Sequence, residues 1–162
     1  MYRWIVFLHI VSAFAFFMAH GASAVMAFRL QQEKDPERIR TILDLSSAAV
    51  PVAYFALMIL VLAGIIAGVM GNWFSQGWIW VSLGLLIVLW FGMVMYAGRY
   101  YSPVRKAAGL PYHDREGEHP AGPSASSEEI IKLAQASNPR LLLGLSFGLV
   151  AVIIWLMMFK PF

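Results

Sequence analysis

The chain has 162 residues, 60% of them hydrophobic and 13% charged, with a mean hydropathy of +0.68. Its 12 basic and 9 acidic residues all lie outside three stretches: Trp4–Phe28, Leu45–Gly98 and Leu141–Phe159. A water-soluble fold cannot hide so much uncharged chain, because charges punctuate soluble helices every turn or two. The absence of cysteine excludes disulfides, iron–sulfur clusters, thiolate-bound metal and covalently attached c-type haem in this chain. The net charge of +3 comes from residues that flank apolar runs and form no stripe with interleaved aromatics, which argues against a nucleic-acid partner.

A spanning helix takes about 20 apolar residues. The three stretches therefore predict an all-α membrane protein, a four-transmembrane-helix bundle in one integral domain, with spans near 4–28, 48–70, 78–98 and 140–159. Ala22, Ser23 and Ala24 after the first apolar run resemble a signal-peptidase site. The run is longer than a signal core, however, and cleavage would send a tetrabasic segment outward, so the first span is read as a retained helix.

In the first connection, 29–47, Asp35 and Pro36 form a helix start, with Asp as N-cap and Pro in the first turn. Helix is predicted from there along the membrane interface and into the bilayer near Ser46, with Pro51 as a kink or the point of insertion. Glycines and polar residues over Gly71–Gly77 mark a tight hairpin. In the second long connection, 99–139, Pro103–Ser127 reads as irregular. Ser126 and Glu129 then have capping-box spacing ahead of Ile130, Ile131, Leu133 and Ala134, which predicts a short amphipathic helix on the membrane surface. Asn138 and Pro139 cap the last span.

Nine of the twelve basic residues fall in the two long connections and a tenth, Arg140, at the edge of the second, leaving Arg3 and Lys160 for the other side. The positive-inside rule then places both termini outside and the long loops in the cytoplasm of a cell whose inner (plasma) membrane holds the chain. Gly64 with Gly68, and Gly144 with Gly148, are small-xxx-small pairs that let helix backbones approach closely.

His9 and His20 lie inside the first span, 11 residues apart. That is three turns plus about 20°, so both rings project from one helix face, roughly 16 Å apart along the axis. Ala13, Phe16, Ala24 and Ala27 share the face, leaving room for something flat against which Phe16 could pack. An imidazole in hydrocarbon needs its nitrogens satisfied, and burial favours the neutral, metal-binding form. Haem iron, another metal, or a hydrogen bond to serine, tyrosine or backbone would each serve. Two histidines on one face with small residues between favour haem b, with His9 and His20 as axial ligands. One helix cannot place both on opposite faces of a single haem. Either each serves its own haem, or one is a ligand and the sixth position is filled by a methionine, by a second copy, or not at all. A homodimer follows naturally from the bis-histidine case.

The opening Tyr2-Arg3-Trp4-Ile5-Val6-Phe7-Leu8-His9 resembles the first helix of the CopD-like superfamily, whose members include the copper-resistance membrane protein CopD and a haem-containing bacterial protoporphyrinogen oxidase. The resemblance covers the first span and the four-span layout. It implies a haem ligand at His9; the third span lacks the histidine or lysine that would complete the oxidase pattern. Arg99, at the end of the third span, is a candidate partner for haem propionates, or else an interface anchor beside Tyr96, Tyr100 and Tyr101. His113, Asp114, Glu116 and His119 are metal-ligand types, but their spacing fits no structural zinc pattern and a solvated loop is the plainer reading. The leading expectation is a haem b protein that transfers electrons or senses redox state, with donor and acceptor unspecified. The alternatives are a non-catalytic subunit of a larger membrane complex and a CopD-like metal-ion permease.

Overall fold

The computed structural model describes residues 1–114 and 116–162. Among the described residues, four helices are long and apolar enough to cross a membrane. α1 runs Tyr2–Gln32 and α2 Pro36–Met70. α3 (Gly77–Tyr96) continues through a π-helical turn, Ala97–Tyr101, into α4 (Ser102–Ala107), so helix persists well past the apolar stretch that located this span. After a small hairpin, β1 (Tyr112–Asp114) with β2 (Gly117–His119), come α5 (Ser127–Gln135) and α6 (Pro139–Phe159).

The local signals work as their chemistry requires. The Asp35 side chain accepts from the Glu37 N–H at 3.0 Å and opens α2. Ser126 accepts from the Glu129 N–H at 3.3 Å and opens α5, and Asn138 does the same for Leu141 and α6. Pro51 sits inside α2, which runs on through it. Asn72 takes the left-handed conformation (φ 56°) that reverses the chain between α2 and α3.

One part of the loop differs from the sequence-based expectation. Pro103–Ser127 is not wholly irregular, since it holds most of α4 and an antiparallel hairpin pairing Tyr112 with His119 and His113 with Glu118. Tyr112 and His119 stack across the strands at 4.6 Å between centroids, a cross-strand contact that offsets the low β-propensity of the segment.

α1 packs extensively along α2, and α3 along α6; within the bundle the two pairs meet chiefly where α1 touches α6. Large apolar side chains such as Phe14, Phe55, Ile87 and Phe159 point away from the bundle, each more than half exposed, so the outside is as apolar as the inside. That surface suits a hydrocarbon surround. At the turn end, Trp78, Ile79 and Leu156 form a small core, and the Lys160 ammonium sits 3.8 Å from the centroid of the Trp73 ring.

At the charged end a second core joins Leu30, Ile39, Leu43, Val104, Ala107, Ala108, Ile130 and Ala134. The apolar face of α5, the amphipathic helix expected from its capping box, closes on the ends of α1, α2 and α4. Removing one side chain of this size from water is worth about 1.5–3 kcal/mol. Two arginines brace the cap through backbone carbonyls. Arg40 donates to the Ala108 oxygen at 2.9 Å, and Arg105 to the Leu43 oxygen at 3.0 Å. Gln31 donates to the Ser137 oxygen at 2.8 Å, tying the end of α1 to the segment before α6.

Candidate functional site

The two histidines on α1 face different neighbours. His9 lies against α2, where its Nδ1 is 2.9 Å from the Leu60 carbonyl oxygen. A carbonyl only accepts, so Nδ1 carries the proton and donates, and Nε2 is left with a bare lone pair. This contact depends on Gly64. A Cβ built there would stand 2.9 Å from His9 Cε1 and 3.0 Å from Nδ1, closer than side chains tolerate. The ring therefore occupies the space that the missing side chain leaves. His9 remains partly exposed.

His20 is buried, 6% exposed, and its Nε2 lies 3.1 Å from the Ser146 hydroxyl on α6. Ser146 also donates to the Leu143 carbonyl at 3.3 Å, so its oxygen accepts from His20 Nε2–H. Phe16, one turn earlier on α1, lies parallel to the ring (6.0 Å between centroids, 3° between planes), and Phe147 flanks it at 5.5 Å. This imidazole is packed on both sides and bonded across the helix pairs. No other side-chain hydrogen bond joins the two pairs between their ends among the described residues.

Ala13 is half-buried on α1 and Phe16 is buried beside His20 rather than beside His9. Arg99 is exposed in the π-helical turn, its guanidinium 5.8 Å from the Tyr100 ring. Its neighbour Tyr101 packs on the core that includes Leu30, so Arg99 belongs to the charged end and His9 to the opposite one. The structure thus does not bring Arg99 and His9 together. Of the two glycine pairs, Gly64 meets His9 and Gly68 meets Phe74 and Ile79, whereas Gly144 and Gly148 have open space. Sequence reasoning missed Leu60, Gly64 as a seat for the ring, and Ser146. Ser146 had a signal: a lone hydroxyl in an apolar span must bond something. Ser12 and Ser82 meet that need on their own helices, at the carbonyls of Leu8 and Trp78.

At the loop hairpin, Asp114, Glu116 and His119 bring ligand-type atoms within 4.8 Å of one another. The Asp114 carboxylate accepts from the Glu116 N–H at 2.8 Å and from His119 Nε2 at 2.9 Å. The Glu116 N–H, and then the His119 ring, hold the Asp114 carboxyl below its ordinary value of 3.8. A depressed carboxylate contributes stability above its unfolded pKa and loses it as pH falls through the folded one. Hairpin order, followed by the Tyr112 ring signals in NMR, is therefore expected to fade on acidification below about pH 4. Asp114→Asn, which keeps an acceptor but cannot titrate, should remove that transition; an unchanged acid profile would rule out Asp114 as its source.

No family model, curated protein or solved structure matches the chain.

Proposed function

We propose that this chain is a multi-pass membrane protein that carries haem b on His9 and serves in electron transfer or redox sensing. The observation that carries the reading is the His9 tautomer. Metal-bound histidines donate their second ring N–H to a backbone carbonyl or carboxylate, which fixes the ring and raises the basicity of the ligating nitrogen. Leu60 supplies that carbonyl and leaves Nε2 as a neutral donor atom suited to iron. Gly64 supplies the close approach. The fit is poor at His20, whose ring is 6% exposed and packed between Phe16 and Phe147, with no open approach for a flat cofactor. His20 in this reading joins the helix pairs, and His9 alone holds the cofactor.

Bound haem supplies one-electron chemistry at a potential set by its axial ligands and its burial. The chain's part is to keep the proton on His9 Nδ1, donated to the Leu60 carbonyl, and so to orient the ring. His9 of a second copy would be one source of a further ligand, in which case one haem would be shared by two chains in a homodimer. A five-coordinate iron gives one for one. The excess of Lys and Arg in the two long connections supports a cytoplasmic placement of the charged end, with both termini outside the inner membrane. The likeness of the first helix to the CopD-like superfamily supports the same ligand position.

The test is a visible spectrum of protein purified gently after haem-replete expression. A Soret band that sharpens on reduction is expected, lost in His9→Ala and retained in His20→Ala. A colourless wild-type protein overturns the reading. A second reading, a non-catalytic subunit of a larger membrane complex, is favoured by the outward-facing Gly144 and Gly148 and by the internal satisfaction of His20. Its mark is a colourless protein that co-purifies in stoichiometric amounts with another membrane chain.

A further inference from the structure

α3 and α6, 20 and 21 residues long, each rise about 30 Å, the thickness of the hydrocarbon layer of a bilayer. Arg140 lies in the first turn of α6, and Arg99 three residues past the end of α3. Both therefore stand at one edge of that layer, where phospholipid phosphates begin. Arg29, in the last turn of α1, closes the first apolar stretch at the same end. The three helix ends meet at Ser137 and Asn138. Gln31 of α1 donates to the Ser137 carbonyl oxygen at 2.8 Å, and the Tyr96 hydroxyl of α3 is buried beside Ser137 and the Asn138 backbone. Each arginine is within three residues of that junction. Tyr100 packs on Tyr96 at 4.6 Å between centroids, and the Arg99 guanidinium is 5.8 Å from the Tyr100 ring.

The chain's own carboxylates do not answer these charges. All nine acidic residues lie in the two long connections. Asp35 and Glu37 face Arg38 and Arg40 at the start of α2, and Asp44, the acid nearest an apolar stretch, faces Arg105 at 3.7 Å. Among the described residues no carboxylate pairs with Arg29, Arg99 or Arg140, and all three are exposed. A guanidinium offers a rigid fork of N–H donors that fits two oxygens of one phosphate. A zwitterionic headgroup sets its own ammonium against its phosphate, so the better complement is a phospholipid with net negative charge. Its acyl chains then run along the apolar flank below, where Met95 and Leu145 are exposed. We propose that this junction binds the phosphate of an anionic phospholipid, held by the guanidinium groups of Arg99 and Arg140 with Arg29 adding charge. The assignment does not involve His9 and stands whether or not that ring holds haem.

The experiment titrates the full chain in dodecyl maltoside with phosphatidylglycerol and, separately, with phosphatidylcholine. Bound lipid is read by native mass spectrometry, and stability by the thermal midpoint. Phosphatidylglycerol is expected to bind about tenfold more tightly than phosphatidylcholine and to raise the midpoint. An arginine at the membrane surface is worth about fivefold in affinity, so Arg99→Gln with Arg140→Gln should weaken phosphatidylglycerol binding by about tenfold or more. Lys34→Gln with Lys132→Gln removes the same charge from exposed positions at the same end, and should leave binding within about twofold. Arg99→Lys with Arg140→Lys keeps the charge but loses the fork; it should bind about threefold more weakly, and it serves if the glutamine pair misfolds. Equal retention of the two lipids overturns the proposal. So does an equal loss in the Lys34 and Lys132 pair, which would mean a diffuse field and no site. Millimolar inorganic phosphate that raises the midpoint as far as the lipid does would assign the site to free phosphate and overturn it too. An acidic protein that co-purifies with the wild type, and is lost from the arginine pair while lipid binding is unchanged, assigns the surface to that partner with the same consequence.

Discussion

Gly64→Val is expected to lower the thermal midpoint of the detergent-solubilised bundle by several degrees, while Gly144→Val leaves it within error. Both glycines are helical and both belong to small-xxx-small pairs, so helix propensity does not separate them. The space around them does. At Gly64 the first added carbon meets His9 at 2.9 Å, and the branches of valine reach further. The ring must leave its seat or α1 must move off α2. Overpacking of this kind costs about 1–3 kcal/mol. Loss of the bond between His9 Nδ1 and the Leu60 carbonyl adds about 0.5–1.5 kcal/mol. At Gly144 an added Cβ meets nothing within 4 Å beyond its own helix backbone and chain neighbours, and a side chain projects into open surroundings. Gly64→Val should also displace any group bound at His9, so haem content and stability should fall together. Equal midpoints for the two variants would show that α1 and α2 do not cross at this point.

This contrast shows why the site was only partly legible in the sequence. The spans were readable because charge and hydropathy are properties of the chain itself, and they set the four helices without reference to any contact. The caps at Asp35, Ser126 and Asn138 were readable for the same reason, since each acts within four residues. The pairing of His9 with Leu60 was not. It links residues 51 apart through a backbone carbonyl, a group every residue owns and no sequence pattern marks. The common face of His9 and His20 was a sound inference from helical spacing, yet a face is wide enough to touch two neighbours. His9 meets α2 and His20 meets α6. The spacing fixed where the rings begin and left open where they end. The hairpin at Tyr112–His119 was hidden for another reason: its stability comes from one stacked pair and one carboxylate turn, not from β-propensity.

The charged end offers the second large effect. Ile130→Ala is expected to destabilise the bundle by about 2–5 kcal/mol, the usual cost of truncating a buried isoleucine. Ile130 is 1% exposed and Ile39, in the same cluster, 0%. The measurement is thermal or denaturant unfolding in detergent, with amide exchange along α5 as a local probe. Lys132→Ala on the exposed side of the same helix is the control, expected to change little. If α5 instead lay on the membrane with Ile130 in lipid, the truncation would weaken only its surface attachment and the bundle midpoint would hold. The cluster also predicts coupling. Ile39→Ala and Ile130→Ala empty one shared core, so their combined cost should depart from the sum of the single costs by at least about 0.5 kcal/mol. Strict additivity would mean that α2 and α5 do not share a core. The cap fixes the start of α6 through the bond from Gln31 to Ser137, and so bears on where Ser146 stands against His20. Loosening α5 should therefore raise exchange at the midpoint of α6 as well, an effect at a distance that a surface-lying helix does not produce.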